Sequence, residues 1–243
     1  MNTFFFLTIQ VVLSSTNAVN ATPQESFIKG NLAYGKGNYA KAIQHYNAGL
    51  NSGTELGGEA LSLFHYNLGN AHLRNGELGA SIAAYLASYS ERPQNEDLIA
   101  NLEFARSQTQ DDLAKMDTSP ILKTLFFWHF AFGRSRTKTF FIGANALFWL
   151  LMCIQLFVKA NPLIRFSQRF ALVCTLLLGA SVLVRWAKPH HVAVVQNQEI
   201  NVYSGQDSAS VIRFKLHEGS EIRAVKIEAN WVKVDLPEQK QGW

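Results

Sequence analysis

"GNLAYGKGNYAKAIQHY" (residues 30–46) and "GNAHLRNGELGASIAAY" (residues 69–85) align without a gap. Gly30 falls on Gly69, Asn31 on Asn70, Gly37 on Gly76, Ala42 on Ser81, Ile43 on Ile82 and Tyr46 on Tyr85, at a constant offset of 39 residues. Self-similarity at such a period marks a repeat, in which each helical unit buries its apolar face on the next. The periodicity predicts two hairpins, with helices over 24–36, 38–50, 59–74 and 77–90. Pro93 ends the second hairpin, where no helix can continue. "NEDLIANLEFARSQ" (95–108) then predicts a capping helix with Asn95 as N-cap and Leu98, Leu102 and Ala105 on one face. Small residues at Gly30, Gly69, Ala42 and Ser81 let paired helices approach, and Tyr46 and Tyr85 fill the gap to the next helix. Two repeats and a cap are fewer than the roughly three that stand alone, so packing against another domain or protein is expected.

Charge distribution divides the rest of the chain. From residue 118 to residue 198 there is no Asp or Glu, while nine Lys and Arg are present. These cations bracket apolar runs, as in a membrane protein whose basic residues meet lipid headgroups. A nucleic-acid binder would carry them on a folded face, so that class is excluded. Residues 139–158 are 20 uncharged residues, long enough to cross about 30 Å of hydrocarbon. Residues 170–186 form a second span, in which Arg169 and Arg185 snorkel and Phe166 and Trp186 extend a 15-residue uncharged run. Between them, 159–169 reads as a tight loop. The aromatic, cation-bracketed segment 116–138 reads as an interfacial helix. At the start, the apolar core 4–13 followed by "VNA" at 19–21 predicts a cleaved signal segment over 1–21. A cleaved signal places 22–138 in the periplasm and the basic loop 159–169 in the cytoplasm, and returns the C-terminal unit to the periplasm.

The last stretch, 190–243, changes texture. Short alternating runs are separated by the turn signals "SGQDSA", "HEGS", "EAN" and "LPEQKQG", which predicts five short strands in a small β-barrel.

The hairpins, with their L-G-N, turn Gly, A-x-x-x-Y and closing Pro, resemble the tetratricopeptide repeat (TPR) over 22–115. The terminal run, with "NWVKVDL" and a closing Gly242–Trp243, resembles a bacterial SH3 domain. The order of all these parts resembles the BatE-like proteins of the aerotolerance (Bat) operon. The expected architecture is thus a multi-domain membrane protein with all-α TPR hairpins, two transmembrane helices and a small all-β SH3-like barrel. The resemblance implies a non-enzymatic scaffold of the inner membrane. Its implied partners are membrane proteins with von Willebrand A domains and, indirectly, a MoxR-type ATPase, in envelope stress or aerotolerance.

In TPR arrays the first helix of each pair lines the binding groove, which implies partner-binding roles for Asn31, Tyr34, Asn70 and Arg74. Phe27 stands where a carboxylate clamp has Lys, and the third helix has Phe104 at the position matching the clamp's Asn or Arg, so a mixed apolar–polar peptide groove is expected rather than that clamp. Removing the Asn70 and Arg74 side chains is expected to weaken partner capture and to spare thermal stability. Trp231 is either a core aromatic or an SH3 ligand residue. The alternative function, a cell-wall-sensing module that binds peptidoglycan, would use it.

Catalytic and metal signatures are missing from the sequence. Cys153 and Cys174 lie inside the apolar runs with no CxxC, and no HExxH, GxSxG or phosphate-cradling Gly loop is present. His45, His65 and His72 fall in repeat helices, and the adjacent His190 and His191 point apart in an extended segment. No acid lies in either span, which argues against ion transport. No cofactor and no metal are expected.

Overall fold

A computed structural model describes residues 22–111, 120–158, 161–187, 192–236 and 240–243. The expected signal segment 1–21 and the pair His190–His191 lie outside the described residues. The chain is 62% helical, with two long apolar helices and a small β region.

Five helices form the hairpin unit: α1 (Pro23–Gly35), α2 (Tyr39–Leu50), α3 (Gly58–Arg74), α4 (Leu78–Glu91) and α5 (Glu96–Arg106). Local chemistry sets their starts. Thr22 Oγ1 accepts from Glu25 N (3.2 Å), Asn38 Oδ1 from Lys41 N (3.2 Å) and Asn95 Oδ1 from Leu98 N (3.0 Å), each satisfying an orphan donor of the first turn. Gly37 and Gly76, which occupy one position of the 39-residue alignment, both turn their hairpins with positive φ (74° and 82°), a conformation that other residues adopt with strain.

The repeat is also visible in the packing. A Cβ on Gly30 would overlap the ring of Tyr46, and a Cβ on Gly69 would overlap that of Tyr85. Each tyrosine thus lies against the bare backbone of its own hairpin's first helix. Tyr46 joins Ala33, Ala42, Phe64 and Leu68 in one core, and Tyr85 joins Ile82, Leu98, Leu102 and Ala105 in the next.

Two short helices, α6 (Pro120–Leu125) and α7 (Phe127–Ala131), lead to α8 (Arg134–Phe157) and α9 (Pro162–Ala187). Both long helices are long and apolar enough to cross a bilayer. At 1.5 Å per residue they measure about 36 and 39 Å. None of α8's most apolar stretch is buried and only 11% of α9's is, so their large side chains face outward, as lipid-facing side chains do.

Three expectations change here. The segment 116–138 holds two short helices and the first turn of α8 instead of one interfacial helix. The loop expected over 159–169 is helical from Pro162 onward. Asn161 Oδ1 caps Leu163 N at 2.9 Å and Pro162 takes the first helical position, a start signal that the loop-like charges of Arg165 and Arg169 conceal. Arg185 does not snorkel: its Nη2 donates to the carbonyl oxygens of Phe132 (2.9 Å) and His129, beyond and within α7. Trp128 Nε1 donates to Ser181 Oγ (3.2 Å) and Gln155 Nε2 to Gln168 Oε1 (2.6 Å), so these polar groups find partners within the protein.

Among the described residues the β unit comprises β1 (Val192–Val194), β2 (Glu199–Tyr203), β3 (Ile212–His217), β4 (Glu221–Glu228), β5 (Trp231–Asp235) and β6 (Gln241–Gly242), one strand more than expected. All pairing is antiparallel, in the order β1-β4-β5-β6 with a separate β2-β3 hairpin. Val195, Val202, Leu216, Ile222, Val234 and Leu236 form its core. Beyond β6, Trp243 exchanges both backbone bonds with Tyr203 (2.7 and 2.9 Å), which ties the two sheets together.

The β unit docks on α4 and α5. Val194 packs on the Tyr85 core. Arg106 makes a two-point bond to Glu221 (2.5 and 2.8 Å), and Gly79 N donates to Glu218 Oε1 (2.9 Å). Asp111 accepts from His217 N (2.7 Å), from the His217 ring (2.8 Å) and from the Ser220 hydroxyl. Burial acts to raise the Asp111 pKa, but the bonds from Ser220 and His217 outweigh it and hold the carboxyl below its usual range. The further packing surface that a two-repeat array needs is therefore supplied by the same chain. A second anchor joins the hairpins to α8: buried Glu91 accepts from Ser135 N (3.1 Å) and Ser135 Oγ (2.6 Å), capping the N-terminus of α8 from another element. Hairpins and β unit thus sit at the same end of the α8–α9 pair.

Candidate functional site

The first helices of the hairpins and the capping helix, α1, α3 and α5, present a connected row of amides and phenols. The Tyr46 hydroxyl donates to Asn31 Oδ1 at 2.7 Å, and Asn67 Nδ2 donates to the same oxygen at 3.1 Å. One repeat later, the Tyr85 hydroxyl donates to Asn70 Oδ1 at 2.7 Å, and Asn101 Nδ2 donates to that oxygen at 3.0 Å and to the Tyr66 hydroxyl at 3.1 Å. The bonds cross from α1 to α3 and from α3 to α5, so they set these helices in register through side chains alone.

Two consequences follow for Asn31 and Asn70. Their carbonyl oxygens are committed to tyrosines that are almost wholly buried (1% and 0% exposed). Their Nδ2 groups, by contrast, meet no acceptor among the described residues and remain able to donate outward. The expectation that Asn70 is dispensable for stability is therefore revised, because its removal would strand a buried phenol. Burial pushes the Tyr46 pKa up to about 12 and raises that of Tyr85 further, so both are neutral donors at any physiological pH.

Arg74 and Tyr34 close one end of the row. Arg74 Nη2 donates to the Tyr39 hydroxyl (3.0 Å), and its guanidinium carbon lies 5.4 Å from the Tyr39 ring centroid. The Tyr34 ring packs edge-on against Tyr39 at 5.3 Å. Partial burial raises the Tyr34 pKa and the nearby Arg74 charge partly opposes the rise. Phe104, 57% exposed, supplies an apolar residue on α5 beside Asn101. The row thus presents hydrogen-bond donors, one cation and an exposed aromatic.

Tyr66, Asn67 and Asn101 escaped the reading of the sequence. Tyr66 could have been found, since it aligns with Phe27 at the repeat offset. Asn67 aligns with Ile28, and Asn101 lies one turn before Phe104 in a helix outside the 39-residue alignment, so no repeat signal points to either.

Trp231 opens β5, is half-buried and packs edge-on against Tyr203 (centroids 5.8 Å apart, 86°). It lies outside the β core. Among the histidines, His65 is enclosed in α3 with its Nδ1 unpartnered among the described residues, and burial pushes its pKa down to about 4. Among the described residues no three His, Cys, Asp or Glu side chains are grouped to hold a metal ion.

The chain matches no family model and no curated protein.

Proposed function

We propose that this protein is a membrane-anchored, non-enzymatic scaffold whose TPR-like hairpins hold an extended segment of a partner protein. One observation carries the reading: the Nδ2 donors of Asn31 and Asn70, the Tyr34 hydroxyl and the Arg74 guanidinium stand on neighbouring first helices with donor capacity not used among the described residues. In this reading α8 and α9 anchor the scaffold in the inner membrane, and the SH3-like β unit caps the short array. Hairpins and β unit lie together in the periplasm. The partners are von Willebrand A-domain Bat proteins, with a MoxR-type ATPase reached through them, in a BatE-like envelope or aerotolerance complex.

The test is a photo-crosslinking residue at position 74 of the full-length protein in native membranes. A crosslink to a discrete membrane protein is expected, and Tyr34→Phe with Asn31→Asp should reduce it. The same crosslinked species from position 176, on the outward face of α9, would refute the groove.

A second reading takes the Tyr203–Trp231 aromatic pair as a stacking platform for peptidoglycan sugars. Full-length protein sedimenting with purified murein, and losing that with Trp231→Ala while its circular dichroism is unchanged, would favour this reading over the first.

A further inference from the structure

Where α8 meets the hairpins there is a cavity of about 400 Å³, lined among others by Glu59, Arg92, Phe132, Arg136, Thr139 and Phe140. That volume falls in the range of about 300–1,000 Å³ typical of small-ligand sites. Its position along α8 is informative. Arg136 belongs to the basic first turns, whereas Thr139 opens the uncharged run, so the cavity straddles the level where a bilayer passes from headgroup to hydrocarbon.

Its chemistry is two-sided. Arg92 and Arg136 bring guanidinium groups from different elements. Among the described residues Arg136 makes no ion pair and Arg92 pairs with Glu59 alone, at 3.6 Å, the Glu59 side chain being 71% exposed. Glu91, the other acid in the wall, is occupied by Ser135 N and Oγ. In the same lining, Phe132 and Phe140 meet edge-to-face with centroids 5.0 Å apart, and Phe140 is 46% exposed at the start of the uncharged run.

We propose that this cavity binds the phosphodiester headgroup of a membrane phospholipid. The Arg92 and Arg136 guanidiniums hold the non-bridging oxygens, the Thr139 hydroxyl adds a donor, and the Phe132–Phe140 pair lies against the glycerol and the first methylenes. Glu59 at the mouth disfavours a polyanion and leaves room for a single negative charge. The lipid would bridge hairpin unit and anchor. It would act beside the Glu91–Ser135 cap, where these two parts already join. The proposal rests on α8 and α9 crossing a bilayer, and extraction of the membranes with alkaline carbonate tests that separately.

Delipidated full-length protein in detergent is titrated by native mass spectrometry with dioleoylphosphatidylglycerol. The parallel arms are dioleoylglycerol, which has the same chains and no phosphate, and inorganic phosphate. One phosphatidylglycerol per chain is expected to be retained. Arg136→Gln, which removes no ion pair among the described residues, should weaken retention about tenfold, and the further change Arg92→Gln about tenfold more. Lys226→Gln, on the β unit, should leave it unchanged. Equal retention of dioleoylglycerol, full displacement by equimolar inorganic phosphate, or wild-type retention by Arg136→Gln would overturn the proposal. Release of the chain by carbonate would instead remove the membrane reading beneath it.

Discussion

Replacing Asn70 by Ala isolates what the amide row contributes to the fold. The Tyr85 ring is fully buried, and its hydroxyl has Asn70 Oδ1 as its acceptor at 2.7 Å. Asn70→Ala takes that acceptor from a buried donor, leaving only the Ser81 hydroxyl beside it, which costs about 1–3 kcal/mol. Asn101 loses one acceptor but keeps the Tyr66 hydroxyl at 3.1 Å, so it adds little. Tyr85→Phe removes the donor instead and leaves Asn70 Oδ1 bonded to Asn101, for about 0.5–1.5 kcal/mol. With both changes made, no stranded phenol remains, so the double variant should be less destabilised than the sum of the singles by about 1 kcal/mol or more. Amide hydrogen exchange of the full-length protein in detergent, read by mass spectrometry, reports the opening of α3 and α4 without assuming that the whole chain unfolds in one step. Asn70→Ala should accelerate exchange there roughly 5- to 150-fold. Asn31→Ala should do the same in α1 and α2, since Tyr46 is anchored in the same way. Unchanged exchange in α3 and α4, or strict additivity of the two changes, would refute the claim that these asparagines hold the core tyrosines.

His65 binds its proton more weakly in the folded state, at a pKa of about 4 against 6.5 for the free side chain, because burial opposes the charge. The unfolded chain therefore binds more protons between these values, and hairpin stability should fall by about 3 kcal/mol as pH drops from 6.5 to 4. His65→Leu should flatten that dependence in the exchange of α3. The Asp111 anchor behaves in the opposite range. Its pKa lies below the ordinary 3.8, so its contribution is complete above that value and is lost only as pH falls through the lowered one. Arg106→Glu should release the β unit, seen as faster exchange in both β1 and α5, and the swap with Glu221→Arg should restore protection; no recovery would remove the ion pair from the docking interface. A phosphatase fused after Trp243 should be active and one fused at Asn161 inactive, and the reverse pattern would invert the proposed topology.

The alignment of residues 30–46 with 69–85 was enough to place the hairpins, because a repeat is written in local periodicity and in glycines that only one backbone shape requires. The apolar spans were equally legible, since a bilayer demands composition and length rather than particular neighbours. Boundaries were less so: charge at Arg165 and Arg169 ended the second span on paper, while the Asn161–Pro162 start signal began its helix earlier. For the candidate site, Asn31, Tyr34, Asn70 and Arg74 could be named from the repeat, but what each one touches could not.

The sequence by itself determined the helical repeat, the two apolar helices and the β texture of the last segment, all of which depend on neighbours within a few residues. Only the tertiary structure decided that Asn31 and Asn70 serve buried tyrosines, that Glu91 caps α8, and that Arg106 at the end of α5 and Asp111 beyond it hold the β unit. Asp111 and His217 stand 106 positions apart, and Arg106 and Glu221 stand 115 apart. Pairings at such distances leave no periodic trace, because any acid and any base satisfy the composition and only the packed backbone selects which two meet.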